Sequence, residues 1–169
     1  MDFKTLSESR YSARSFSTVP VEQAKLEAIL RVGQVSPTAC NMQPQRVLAV
    51  HTPKGLETVK KCTRAHFGET LAIITCYDKE DCWERWDGEK SGVIDASIVT
   101  THMMLAAHEL GVCSTWVMDF IPKAITTEFS LPKSWEPVSL LLMGYPAKDC
   151  RPSRLHSQKK PLEETVTYL

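Results

Sequence analysis

The segment from about Ser91 to Leu110 contains the run VIDASIVTTHMMLAAHEL, which fits a long helix and is apolar on nearly every face. Val93, Ile94, Ile98, Val99, Met103, Met104, Leu105, Ala106, Ala107 and Leu110 leave it no continuous polar side. Such a helix must be buried nearly all round. With 169 residues the chain suits a single domain, 1–169, large enough for a core of its own. A domain this small can cover the helix in two ways: it is the central core helix, or it is shared with a second copy. His102 and His108 lack the i, i+4 spacing of helix-borne zinc ligands and read as ordinary helix residues.

The remaining elements mix helices and strands. Asp2 can cap a short helix that carries Phe3 and Leu6 inward and ends near Ser9. A second helix runs from about Val21, with Leu26, Ile29 and Leu30 on one face, and stops near Gly33. Thr52 and Pro53 open a third, through about Lys61, and Pro122 opens a fourth that Leu131-Pro132 terminates. The runs Val47–Val50, Leu71–Cys76 and Val138–Met143 read as strands, and Val112–Phe120 as a strand leading into a loop. Between Asp78 and Glu89 the chain is charged and carries Trp83 and Trp86; it is expected to cover one end of the sheet, with the indoles packed against the core.

Composition narrows the function classes. Twenty basic residues balance twenty acidic ones, so the basic field of a nucleic-acid binder is missing. No apolar run approaches the length of a membrane span. The six cysteines form no C-x-x-C pair, and with no apolar signal at the amino terminus reduced thiols in the cytoplasm are expected. Cys76, Cys82 and His66 could be argued as metal ligands, but buried thiols beside a strand are the better reading. All seven glycines are isolated, so neither a G-x-G-x-x-G turn nor a P-loop is present.

The stretch from Glu8 to Val50 carries the chemistry. Arg10, Ser12 and Arg14 alternate, and two guanidinium forks with a hydroxyl suit phosphate or carbonyl oxygens. After the second helix comes a polar, Pro-punctuated turn, Ser36-Pro37-Thr38-Ala39-Cys40-Asn41-Met42-Gln43-Pro44. The segments R-x-S-x-R-x-F and S-P-T-x-x-N-x-Q-P, in this order and spacing, resemble the amino-terminal signature of the FMN-dependent nitroreductase family. The later segments L-G-V-C-S-T-W-V-M-D-F, M-G-Y-P and K-K-P-L-E-E are similar to that family's loop and ending, so the resemblance spans nearly the whole chain.

The resemblance implies an α+β nitroreductase-like fold: a central, mainly antiparallel sheet flanked by helices in an intertwined homodimer. The long helix would form the dimer interface, and the turn would meet the partner's flavin. It also implies bound FMN, with NADH or NADPH as a transient electron donor and nitroaromatics, quinones or flavins as acceptors in a two-step hydride transfer. Arg10 and Ser12 would hold the phosphate and ribityl end, assisted by Lys159 and Lys160 from a tail that reaches across the dimer, with Tyr11 between them. Arg14 would sit at the pyrimidine edge and stabilise charge developing there, the one catalytic role assigned. Pro37, Thr38, Ala39, Asn41 and Gln43 would border the ring and ribityl chain. Trp116, Val117, Met118 and Asp119 would contribute mainly backbone. The chain departs from the family where Gln45 replaces a frequent Trp, where Met118 and Asp119 replace frequent glycines, and in its shortness, which implies a more open pocket. A flavin-fragmenting or dehalogenating enzyme of the same fold, or a non-catalytic flavin or redox sensor, are the alternative readings.

Overall fold

A computed structural model describes residues 1–169. Helices α1 (Phe3–Ser9) and α2 (Gln23–Gln34) precede strand β1 (Gln45–Val50), helix α3 (Pro53–Lys60) and strand β2 (Leu71–Asp78). The long helix α4 (Gly92–Glu109) follows, then β3 (Cys113–Val117), α5 (Pro122–Glu128), β4 (Trp135–Gly144) and a tail with the short helix α6 (Leu162–Thr165). The four strands form one sheet in the order β1-β2-β4-β3, antiparallel throughout. The fold is the α+β arrangement anticipated, a sheet with helices on its faces.

Both faces of the sheet are buried, which is why its central strands are continuous apolar runs rather than alternating ones. Ala72, Ile74 and Cys76 of β2, with Leu140 and Leu142 of β4, face one core beside Ala13, Phe16, Val59 and Ile125. Leu71, Ile73, Leu141 and Met143 face the other, beneath Leu26 and Ile29 of α2 and Val99, Met103 and Ala107 of α4. Burial pushes the Cys76 thiol up to about 12, so it is an inert apolar group. β4 starts at Trp135, three residues before the apolar run, and its register against β2 slips between Thr75 and Cys76. Pro137 stands opposite Cys76 there; it has no N–H for the ladder, and a bulge is where a strand tolerates that loss.

Helix α4 is not buried all round. Ala96, Val99, Thr100, Met103 and Ala107 are buried, whereas Val93 and Ile94 are 51% and 63% exposed. Its start lies so close to β2 that a Cβ on Gly92 would stand 2.0 Å from the Tyr77 ring, so only glycine fits. The central-core solution is thus not realised within one chain. The face of Val93, Ile94, Ser97, Ile98, Thr101 and His102 borders an open groove of about 450 Å³.

Three other expectations change. Only Leu6 of α1 reaches the core, and Phe3 is 72% exposed, because a helix of two turns on the rim of α4 has one inward position. Trp86 does not pack inward and is 93% exposed, whereas Trp83 is 36% exposed. Their segment is a turn held by its own bonds, with Glu84 bridged to Lys90 and Arg85 paired to Asp87 at 2.8 Å. The tail lies against the Arg10–Arg14 segment of its own chain, where the resemblance implied a reach across to another.

Candidate functional site

The alternating segment is an extended ribbon beside β3. Ser12 forms a parallel bridge with Ser114, and the Ala13 N–H donates to the Ser114 carbonyl at 3.0 Å. Ala13 is fully buried and Tyr11 packs against the same core, which fixes which side of the ribbon faces inward. With the pleat set, residues two apart share the other side. Arg10, Ser12 and Arg14 accordingly line one recess of about 180 Å³, closed by Ser153, Leu155, His156 and Lys159 of the tail.

This recess is cationic and lacks internal compensation. None of the ion pairs in the chain takes Arg10, Arg14 or Lys159. The Arg14 guanidinium reaches only the Ser12 carbonyl, at 3.5 Å. Three unpaired cations and a hydroxyl around so small a space suit an anion about as large as a phosphate. Lys160 is not in the recess; its ammonium is 4.0 Å from Glu164.

Tyr11 faces the other way. Its hydroxyl lies 3.9 Å from the Cys150 sulfur and 4.0 Å from that of Cys113. Burial and the two neighbouring thiols raise its pKa far above the usual range, so the phenol stays neutral. Its ring meets His156 edge-on at 6.4 Å, which props the tail against the recess. Ser153, Leu155 and His156 were not anticipated; only the basic pair Lys159-Lys160 marked the tail in the sequence.

At the far end of β3 the loop stays on the same sheet edge. Val117 is buried and Met118 is 71% exposed. Trp116 is half-buried, and its indole N–H is buried without a hydrogen-bond partner. The Asp119 carboxylate accepts from Arg64 at 3.2 and 3.1 Å, while its carbonyl accepts from the Thr63 hydroxyl at 2.6 Å. Arg64 therefore engages a loop in which mainly backbone roles were expected.

The Ser36–Pro44 turn is built differently. Cys40, Asn41 and Gln43 have φ of 49°, 54° and 52°, left-handed values that a residue with a Cβ adopts reluctantly. Gln43 N–H donates to the Thr38 hydroxyl at 3.0 Å, and Ala39 N–H donates to Asp95 Oδ1 at 2.9 Å. Pro37, Asn41 and Gln43 are exposed, with Thr38 and Ala39 half-buried. Asp95, 2% exposed, was not singled out from the sequence, although it is the one acid in the first turn of an apolar helix.

The turn and the recess lie at opposite ends of α4. Asp95 in its first turn binds the Pro37–Gln43 segment, and His108 in its last turn binds Ser9, next to Arg10. At about 1.5 Å per residue these anchors are roughly 20 Å apart. Arg10, Ser12, Arg14, Lys159 and the Trp116–Asp119 loop thus gather on one sheet edge. Pro37, Thr38, Ala39, Asn41 and Gln43 stand away from them in the same chain.

Comparison with known proteins places the chain in a family. The model of the nitroreductase family matches residues 8–73 and 84–145, which takes in the ribbon, the turn, the long helix and the loop. An NADH dehydrogenase of Thermus thermophilus is 24% identical over 201 residues, covering 99% of this chain and 96% of its own. The crystal structure of a nitroreductase family protein from Clostridium difficile superposes with a TM-score of 0.93 at 43% identity, covering 99% and 98% of the two chains. A protein of Exiguobacterium sibiricum solved in complex with FMN shares the fold, with a TM-score of 0.86 at 19% identity over 100% and 98% of the chains. The chain belongs to the nitroreductase family and is an oxidoreductase.

Proposed function

We propose that the protein is a cytoplasmic, homodimeric enzyme that binds FMN and uses NADH or NADPH to reduce nitroaromatics, quinones or flavins in two successive half-reactions. The observation that carries this reading is the convergence of Arg10, Ser12, Arg14 and Lys159, none of the cations paired, on one phosphate-sized recess. Its residues fit the terminal phosphate of FMN: two planar forks, an ammonium and a hydroxyl supply donors only where an anion needs them. Bound there, FMN would supply the hydride chemistry that links nicotinamide and acceptor.

The chain's own part is binding, orientation and charge. Arg10, Ser12 and Lys159 hold the phosphate. Arg14, four residues from Arg10 on the ribbon, would offer a permanent cation to charge developing at the ring edge. The unpartnered indole N–H of Trp116 and the loop pinned by Asp119 and Arg64 lie on the same sheet edge and would border the ring. Because the turn stands at the other end of α4, a complete site joins the recess of one subunit to the turn of the other. The uncovered apolar face of α4 supports that dimer. Six free thiols, five of them buried, suit a reducing compartment.

Heat release of the flavin from purified protein, followed by chromatography, tests the reading. FMN is expected. Arg10→Ala should leave much of the protein without flavin, since a charge-assisted phosphate contact is worth about 1.5–3 kcal/mol. Recovery of FAD, or full FMN occupancy in the variant, would count against it. Steady-state oxidation of NADH and NADPH with a quinone then separates a turnover enzyme from a redox sensor, which would be reduced without cycling.

A further inference from the structure

The amide of Ala39 is directed to neither solvent nor ligand but to a buried carboxylate. We propose that Asp95 is a positioning residue: it holds the Pro37–Gln43 turn in the shape that meets the cofactor bound by the other subunit. This rests on the shared FMN site proposed above.

A carboxylate that is 2% exposed needs donors, and Asp95 has two. Ala39 N–H reaches Oδ1 at 2.9 Å, and the Ser91 hydroxyl reaches Oδ2 at 2.7 Å. Asp95 also lies in the first turn of α4, where the helix dipole favours a negative charge. What it restrains is a backbone with reason to relax, since Cys40, Asn41 and Gln43 are all left-handed. The Thr38 hydroxyl is already committed to Gln43 N–H, and Arg46 of β1 holds the far end of the segment through the Gln43 carbonyl at 3.3 Å, so Asp95 is what ties its Ala39 end to the long helix. Without it Ala39 N–H loses its partner, and Thr38 and Asn41 leave the positions in which they are displayed.

The location of this tie says which ligand the turn serves. Val93 and Ile94, the most exposed apolar residues of α4, flank Asp95 in the same helical turn. The turn thus sits at the margin of the apolar face, and α4 itself separates it from its own chain's recess. A second copy covering that face brings its recess to the turn. Asp95 therefore acts in trans.

The experiment measures FMN affinity and the visible circular dichroism of the bound flavin for wild type, Asp95→Ala and Asp95→Asn. Asp95→Ala should bind FMN about tenfold more weakly, with an altered ring spectrum. Asp95→Asn keeps the shape and one acceptor oxygen and should recover part of both. Co-expression of Asp95→Ala and Arg10→Ala chains under two affinity tags then yields purified heterodimers. Each heterodimer should regain one site of wild-type affinity, built from the recess of one chain and the turn of the other, although neither homodimer has any. Unchanged affinity and spectrum in Asp95→Ala would overturn the positioning role, and a heterodimer with no restored site would overturn its action in trans. If wild type binds no FMN, the proposed function fails first, and the two failures are told apart.

Discussion

The two ends of α4 are built on opposite principles. At its carboxy-terminal end the recess is a set of side chains, Arg10, Arg14 and Lys159 with no acidic partner, beside the Ser12 hydroxyl. At its amino-terminal end the turn is a backbone template, with three left-handed residues following an amide that a buried carboxylate holds. A charged cluster tolerates small displacements, because Coulomb attraction falls slowly with distance. A template of backbone amides does not, because a hydrogen bond weakens steeply with angle. The recess should therefore decide how tightly an anion is held and respond to salt, while the turn should decide how a ring is oriented and respond to packing. Each of the following measurements breaks or sharpens that division.

The largest effect is expected where the two ends are brought together. Ile98→Asp places a carboxylate in the apolar groove of α4, and burying it unpaired in an interface costs several kcal/mol. Sedimentation velocity should show loss of the dimer, and FMN should leave with it, although neither end of the helix has been altered. A variant that stays dimeric, or a wild-type monomer with flavin bound, would remove the reason for treating the two ends as halves of one site.

Next come the tail lysines, which test the charged end alone. Lys159→Ala should weaken FMN binding severalfold at low salt and less at high salt, because a recess cation is screened. Lys160→Ala should have little effect, since that ammonium lies outside the recess near Glu164. Equal losses from both variants would show that the tail supplies a diffuse field rather than a specific contact.

Arg14 lies at the border of the two principles. If it faces the ring edge, Arg14→Ala lowers the two-electron potential of the bound flavin; a differential interaction of about 1.4 kcal/mol corresponds to about 30 mV. Arg14→Lys should recover part of the shift, keeping the charge and losing the fork. If Arg14 is only another phosphate ligand, affinity falls and the potential stays put. Measuring both on one variant decides between them.

How much of this was legible in the sequence follows from the same division. The strands β2 and β4 could be read because burial on both faces writes a continuous apolar run, and the recess because the alternation of Arg10, Ser12 and Arg14 is followed by the Ser36–Pro44 turn in the family's order; alone, it reads as a solvated basic stretch. The start of β4 at Trp135 could not, since Pro137 reads as a breaker until the register slip opposite Cys76 is seen. Asp95 was hidden because a lone acid in an apolar helix looks like a capping charge, and its partner is a backbone amide that leaves no mark in the sequence. The exposure of Trp86 was missed for a related reason: the Arg85–Asp87 and Glu84–Lys90 contacts form a turn that needs no apolar anchor. Side-chain chemistry was readable, and backbone-directed contacts were not.

The smallest effect concerns pH and the charged end. Burial pushes the His108 imidazole below its usual range, and the Arg10 charge acts in the same direction. The unfolded chain therefore binds this proton more tightly than the folded one. Stability from this residue is intact above the unfolded value, about 6.5, and is lost as pH falls from there through the lower folded value. His108 Nε2 lies 2.9 Å from the Ser9 hydroxyl, so the loss falls on the contact that seats α1 and Arg10. The thermal midpoint of wild type should drop more between pH 7.5 and 5.5 than that of His108→Gln. Inorganic phosphate should reduce the difference, because an anion in the recess offsets the Arg10 charge that helps keep His108 neutral. A midpoint difference that ignores phosphate would separate His108 from the recess and leave burial alone as the cause of its shift.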